Sequence, residues 1–147
     1  MTTIFFDMDG TIADLYGVEN WLEMLRNYDP TPYACARPLL NLQTLARRLN
    51  RLTEAGYAIE IISWTSKSST AEYDEEIAAA KIKWLEIHLA SVNFSKINIV
   101  EYGTNKDLFR HSENDILFDD EAKNRENWGG LAFDETDILK VLRVLSL

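Results

Sequence analysis

The chain of 147 residues has a single cysteine, Cys35, and only two histidines. One cysteine closes no internal disulfide, and no cysteine or histidine cluster has zinc-ligand spacing, so a reducing compartment such as the cytoplasm is expected. Basic residues are also scarce: 15 Lys and Arg against 24 Asp and Glu leave a formal charge of −9. That field repels a long polyanion, and no local basic patch is evident, so no long nucleic acid is expected as partner. No apolar run approaches the roughly 18 residues of a membrane span. The opening run Met1 to Phe6 has no basic leader and ends at Asp7, so neither export nor a membrane partner is expected. Proline and glycine are sparse as well, at three and six, and no repeat or low-complexity segment occurs. With 46% hydrophobic and 27% charged residues, the composition is that of one globular domain spanning 1–147, able to bury a core without staples.

Apolar runs and helical stripes alternate along this chain. Thr3 to Phe6 reads as a buried strand that stops at Asp7-Met8-Asp9-Gly10. Leu42, Leu45, Ala46, Leu49 and Leu52 share one face of a helix from Asn41 to Ala55, ended by Gly56. Tyr57 to Ile62 is a second strand, followed by the polar run Ser63 to Lys67. A helix over Glu75 to Leu89 has Ile77, Ala80, Trp84 and Ile87 as its inner stripe. Ile97 to Val100 is a third strand, Lys106 opens a short helix, and Asp115 to Phe118 is a fourth strand running into Asp119, Asp120 and Glu121. Leu131 to Phe133 and a closing helix from Glu135 to Leu145 complete the order. The alternation predicts a doubly wound α/β fold with a mostly parallel sheet. Leu15 to Leu40 is the one plausible insertion, a small helical cap.

In such sheets ligands bind beyond the carboxyl ends of the strands, where Asp7, Ser63 and Asp119 fall. Two carboxylates one residue apart can divide two jobs. One attacks phosphorus while ionised, and its neighbour protonates the leaving oxygen and then deprotonates water. Either acidic turn alone is ordinary turn or capping chemistry; their order at successive strand ends is what makes a site.

Asp7-Met8-Asp9-Gly10-Thr11, Ser63 after a strand, Lys106 in Gly103-Thr104-Asn105-Lys106, and Asp119-Asp120 together resemble the four motifs of the haloacid dehalogenase superfamily. The resemblance covers nearly the whole chain. It implies that Asp7 is phosphorylated, Asp9 is the general acid and base, Ser63 hydrogen-bonds the phosphoryl group and Lys106 neutralises it. It further implies Mg2+ held by Asp7, the Asp9 carbonyl and Asp119, with Asp120 as a further ligand or supporting partner, and a small phosphorylated substrate. Thr65 competes with Ser63 for the hydroxyl role, which a strand one or two residues longer would hand to it. Lys81 and Lys83 compete with Lys106 but belong to the side of a helix. Thr65 and Lys67 are candidate substrate contacts. Trp21 and Tyr33 either stack on a base or pack in the cap, and Arg37 either meets an anion or faces solvent. The first motif and short cap look like small 5′(3′)-deoxyribonucleotidase-like phosphatases, with sugar phosphates as the alternative substrates. A receiver-type regulatory domain would present its acidic pair before its acceptor aspartate, the reverse of the order here. A non-catalytic, partner-binding member of the superfamily would have lost Asp7 or Asp9, and both are present.

Overall fold

A computed structural model describes all 147 residues. Five parallel strands form the main sheet: β1 (Thr3–Phe6), β4 (Ala58–Trp64), β5 (Lys96–Val100), β6 (Ile116–Phe118) and β7 (Leu131–Phe133), in the order β5-β4-β1-β6-β7. The chain winds outward from β1 through β4 to β5, then returns to the other side of β1 for β6 and β7. The strand order therefore reverses at β1, and the doubly wound α/β expectation is met.

Period-2 alternation decides which helix each strand residue meets. Ile4 and Phe6 of β1, Ile59 and Ile61 of β4, and Ile116 and Phe118 of β6 join one large core. Against them pack α3 (Leu42–Glu54), α4 (Ala71–His88) and α6 (Ile138–Leu145), through Leu45, Leu49, Trp84, Leu85, Ile138 and Leu142. The opposite face holds Phe5, Ile62 and Leu117 against Trp128 of α5 (Ala122–Trp128). Asn41 caps α3 by accepting from the Thr44 N–H at 3.0 Å, and Gly56, at φ +103°, lies just past its end.

Four details depart from the sequence reading. Helix α5 has no counterpart in it, because its seven residues are largely polar and only Asn124 and Trp128 are buried. Lys106 opens a 3-10 turn, Lys106–Phe109, and another 3-10 turn, Glu135–Asp137, precedes the closing helix. Strand β4 runs two residues beyond Ile62, to Trp64. The inner stripe of α4 is Tyr73, Ile77, Lys81, Trp84 and Leu85, whereas Ile87 is 64% exposed.

An insertion, residues 15–36, leaves and rejoins the core at a narrow neck, where β2 (Ala13–Asp14) pairs antiparallel with β3 (Arg37–Pro38). Between them lie a 3-10 turn at Leu15–Gly17, α1 (Trp21–Arg26) and α2 (Thr31–Cys35). Tyr33 of α2 and Leu15 pack with Tyr73 and Ile77 of α4. Two further bonds fasten the insertion: the Tyr73 hydroxyl donates to the Asp29 carbonyl at 2.8 Å, and the Trp84 indole to that of Ala36 at 2.8 Å. No helix is long and apolar enough to cross a membrane.

At the amino ends of β1 and β6, away from the acids, buried Asp115 accepts from the backbone N–H groups of Thr3, His111 and Ser112 at 2.9, 2.7 and 3.1 Å, and from the Ser112 hydroxyl at 2.9 Å. Burial works to raise its carboxyl, but these donors hold it below the usual carboxylate range. Asp115→Ala leaves the three N–H groups without this acceptor and is expected to cost about 3 kcal/mol or more, read as a lower denaturant midpoint at unchanged slope.

Candidate active site

The sheet places the acids by extending its ladder one residue past each strand. The Asp7 N–H donates to the Phe118 carbonyl at 2.9 Å, and the Asp119 N–H to that of Phe133 at 3.0 Å. Two carboxylates thus stand side by side at the ends of β1 and β6. Lys106, 3% exposed, reaches between them: its ammonium is 2.9 Å from Asp7 Oδ1 and 2.6 Å from Asp119 Oδ2. Burial alone would lower this ammonium's pKa, but the two carboxylates hold it above the ordinary lysine value. Thr11 ties the first loop to the last, donating to Asp7 Oδ2 at 2.8 Å and accepting the Asp120 N–H at 3.1 Å. Gly10 has φ +80°, and a Cβ there would stand 2.3 Å from Asp120 Oδ2, so the tight turn requires glycine.

Carboxylate oxygens of Asp7, Asp119 and Asp120 all lie within 4.8 Å of one another. An all-oxygen donor set of this kind suits a hard divalent cation. Without one, burial and the neighbouring Asp7 charge push Asp119 up to about 6 and Asp120 up to about 8. The cluster is short of positive charge, and the residues present fit a cation.

A crevice of about 540 Å3 opens over this floor. Asp7, Asp9, Lys106, Asp119 and Asp120 line its base, Thr65, Ser66 and Lys67 one side. Residues of the insertion, Tyr16, Trp21, Leu22, Leu25, Arg26 and Tyr33, form the facing wall, with Trp64 and Tyr102 nearby. Tyr16 and Trp21 meet edge to face at 5.0 Å between ring centroids.

Ser63, the hydroxyl favoured by sequence position, lies outside the crevice. It is fully buried, and its hydroxyl accepts from Lys81 at 2.7 Å. The cause is the longer β4: Thr65, two residues on, reaches the crevice instead. Arg37 is exposed on β3 and does not line the crevice, which favours its solvent-facing reading. Tyr33 lines the crevice yet is only 4% exposed, so the packing reading suits it better than stacking; Trp21 is half-buried and open to the crevice. Lys67 is exposed at the rim.

Lys81, read as lying on the side of a helix and set aside in favour of Lys106, is buried at the site's edge, 1% exposed, with its ammonium 2.8 Å from Asp9 Oδ2. Its spacing carries a signal: Lys81 falls four residues from both Ile77 and Leu85, on the inner stripe. Asp9 is held above the ordinary carboxylate range by burial, which Lys81 opposes and Asp7 reinforces.

No family model matches the sequence, and no curated protein matches it. Among solved structures the chain is similar to D,D-heptose 1,7-bisphosphate phosphatase from Burkholderia thailandensis, with a TM-score of 0.57 at 13% identity over 99% of this chain and 98% of that one. It is also similar to D,D-heptose 1,7-bisphosphate phosphatase from B. bronchiseptica complexed with magnesium and phosphate, at TM-score 0.52 and 14% identity over 90% of this chain and 78% of that one. At such identities the likeness establishes the shared fold.

Asp119 and Asp120 bind protons more tightly folded than unfolded, so the metal-free fold loses stability as pH rises from their unfolded values through about 6 and about 8. With chelator present, the melting temperature is expected to fall between about pH 5 and pH 8.5, and a divalent cation to stabilise progressively more across that window. Scanning fluorimetry at several pH values checks this; a metal-free melting temperature that rises through the window contradicts it.

Proposed function

We propose that the chain is a magnesium-dependent phosphomonoester hydrolase working through an aspartyl-phosphate on Asp7. The observation that carries the reading is the meeting of Asp7, Lys106 and Asp119 at neighbouring strand ends, beneath a crevice wide enough for a small phosphorylated molecule. The shared fold with two phosphatases, one crystallised with magnesium and phosphate, supports it.

Asp7 attacks phosphorus as a carboxylate, forming the acyl-phosphate bond while the ester P–O bond breaks. Asp9 gives its proton to the departing alkoxide, then takes one from water as that water attacks the aspartyl-phosphate and frees phosphate, restoring Asp7. Lys106 neutralises charge on the transferring group, and the Thr65 hydroxyl donates to one of its oxygens. Asp7, the Asp9 carbonyl and Asp119 would hold Mg2+, with Asp120 beside them. When bound, the cation supplies charge neutralisation and substrate orientation.

Residues 15–40 serve as a small cap that selects the leaving group. The half-buried Trp21 and exposed Tyr16 offer aromatic faces opposite the acid floor, with Arg26 at the rim. That wall favours a (deoxy)nucleoside monophosphate, whose base can stack while its phosphate reaches Asp7. A sugar phosphate is the second reading, favoured by the names of the two fold neighbours and by the hydroxyls of Ser66 and Ser68 along the crevice.

A panel of nucleotides, sugar phosphates and an aryl phosphate, with and without Mg2+, tests both. Deoxynucleoside monophosphates are expected to be turned over fastest, and chelation to remove activity. Asp7→Asn should abolish turnover in folded protein, and Asp119→Ala should weaken magnesium binding in calorimetry. Trp21→Ala should lower kcat/KM for nucleotides roughly tenfold more than for the aryl phosphate. Preference for sugar phosphates would replace the first substrate reading with the second; wild-type activity in Asp7→Asn would remove the mechanism.

A further inference from the structure

Lys81 is a buried cation that the reaction as written does not use. All three of its N–H groups have acceptors: Asp9 Oδ2 at 2.8 Å, Ser63 Oγ at 2.7 Å and the Trp64 carbonyl at 2.7 Å. Its ammonium also lies 5.1 Å from the ring centroid of Tyr33. The side chain comes up from the core stripe of α4, between Ile77 and Leu85, and does not line the crevice, whereas Asp9 does.

Stability is a poor explanation for this arrangement. Desolvating an ammonium and a carboxylate offsets most of their attraction, and a buried ion pair is often no better than an apolar pair of similar size. At this point on α4 every neighbour on the stripe is apolar or aromatic, and the ammonium is matched only by the three acceptors from β4 and the loop after β1. What lysine adds is geometry. It joins the loop after β1 to the last residues of β4, the two segments that carry Asp9 and Thr65, and it occupies one oxygen of Asp9 while leaving Oδ1 without a protein partner.

We propose that Lys81 is a positioning residue for proton transfer: anchored by Ser63 and the Trp64 carbonyl, it fixes the Asp9 carboxyl group so that its other oxygen meets the leaving group, without touching the phosphoryl group itself. The proposal rests on the phosphatase reading above. It also gives Ser63 a part different from the one its sequence position suggests, as an anchor for Lys81 and not as a phosphate ligand.

Leaving-group dependence is the readout that a merely structural role would not move. An alkoxide needs a proton from Asp9 to depart, whereas an activated phenolate such as p-nitrophenolate does not. In the magnesium-loaded enzyme, Lys81→Met is expected to lower kcat on an alkyl phosphate monoester by about 100-fold, within the range that a positioned acid contributes. The KM should move by less than about threefold, because no contact to bound phosphate is lost. Turnover of p-nitrophenyl phosphate, limited to the first chemical step by single-turnover measurement, should fall much less. In an Asp9→Asn background, adding Lys81→Met should cost less than about twofold, since a residue acting only through Asp9 has nothing left to act on. Ser63→Ala keeps the charge and removes one anchor, so it should give the same selectivity in smaller measure; it also serves if Lys81→Met folds poorly.

Equal losses on both substrates, an undiminished loss in the Asp9→Asn background, or wild-type kinetics in folded Lys81→Met would each overturn the proposal. So would weaker inhibition by inorganic phosphate in Ser63→Ala, which would return that hydroxyl to the phosphoryl group. A wild-type enzyme that hydrolyses no phosphomonoester removes the phosphatase reading first, and this one with it.

Discussion

The ammonium of Lys106, enclosed between Asp7 and Asp119 at 2.9 and 2.6 Å, is the contact on which the arrangement of the site depends. Two buried carboxylates so near each other repel strongly at low effective dielectric. Lys106 lets them stand together, and they in turn keep it charged where burial would discharge it. The balance is still incomplete. Asp7, Asp119 and Asp120 set three carboxylates against that one ammonium, an excess that adds to burial in displacing Asp119 and Asp120 upward. A cluster held by the backbone so that it cannot spread is one that a divalent cation relieves, and the same excess explains why the acid floor would turn a phosphate dianion away without one.

The sheet makes that constraint possible. Because β1 is central, with β4 and β6 parallel on either side, the loops after all three open on one crevice. The extra ladder bonds from Asp7 to Phe118 and from Asp119 to Phe133 fix the acids' backbones, leaving only side-chain angles for Thr11 and Lys106 to set. The insertion is held as firmly at its base. A two-residue antiparallel pair closes its neck, and Tyr73 and Trp84 of α4 bond its backbone. Helix α1, by contrast, buries no residue, so the wall facing the acids is the least secured part of the crevice.

Strand β1 can be read from sequence because a buried parallel strand is a continuous apolar run, and α3 because it is strongly two-faced; the edge strands β5 and β7, only partly buried, are still found within a residue or two as short β-branched or apolar runs between polar turns. Asp7, Asp9, Lys106, Asp119 and Asp120 are legible from their order. What escapes the sequence is the reach of side chains and the last residues of elements. Ser63 and Thr65 both point to the same side of a strand by period 2, so only where β4 ends separates a buried hydroxyl from one in the crevice. Lys81 is the harder case. On hydropathy it interrupts the stripe of α4, and the interruption is compensated by three acceptors from β4 and the first loop, a tertiary fact with no local trace. Helix α5 is hidden for a related reason: it is held by Trp128 and by Asn124 bonding Asp119 at 3.1 Å, not by an apolar face.

The two buried lysines also answer a difficulty raised by the overall charge. A molecule at −9 repels a phosphomonoester at a distance, so any attraction must be local and poorly screened. Cations on the rim, such as Lys67 and Arg26, are exposed to salt and act weakly. Lys106 lies where the dielectric is low and directly beside Asp7, so its field is strongest where the proposed reaction would gather negative charge. Lys81 is equally buried but fully engaged with protein acceptors, its charge directed to Asp9 and the end of β4. The division between them follows from their partners: in the proposed mechanism, the lysine that bridges Asp7 and Asp119 attracts the substrate's charge, and the lysine that bridges Asp9 and the end of β4 holds the acid that meets it.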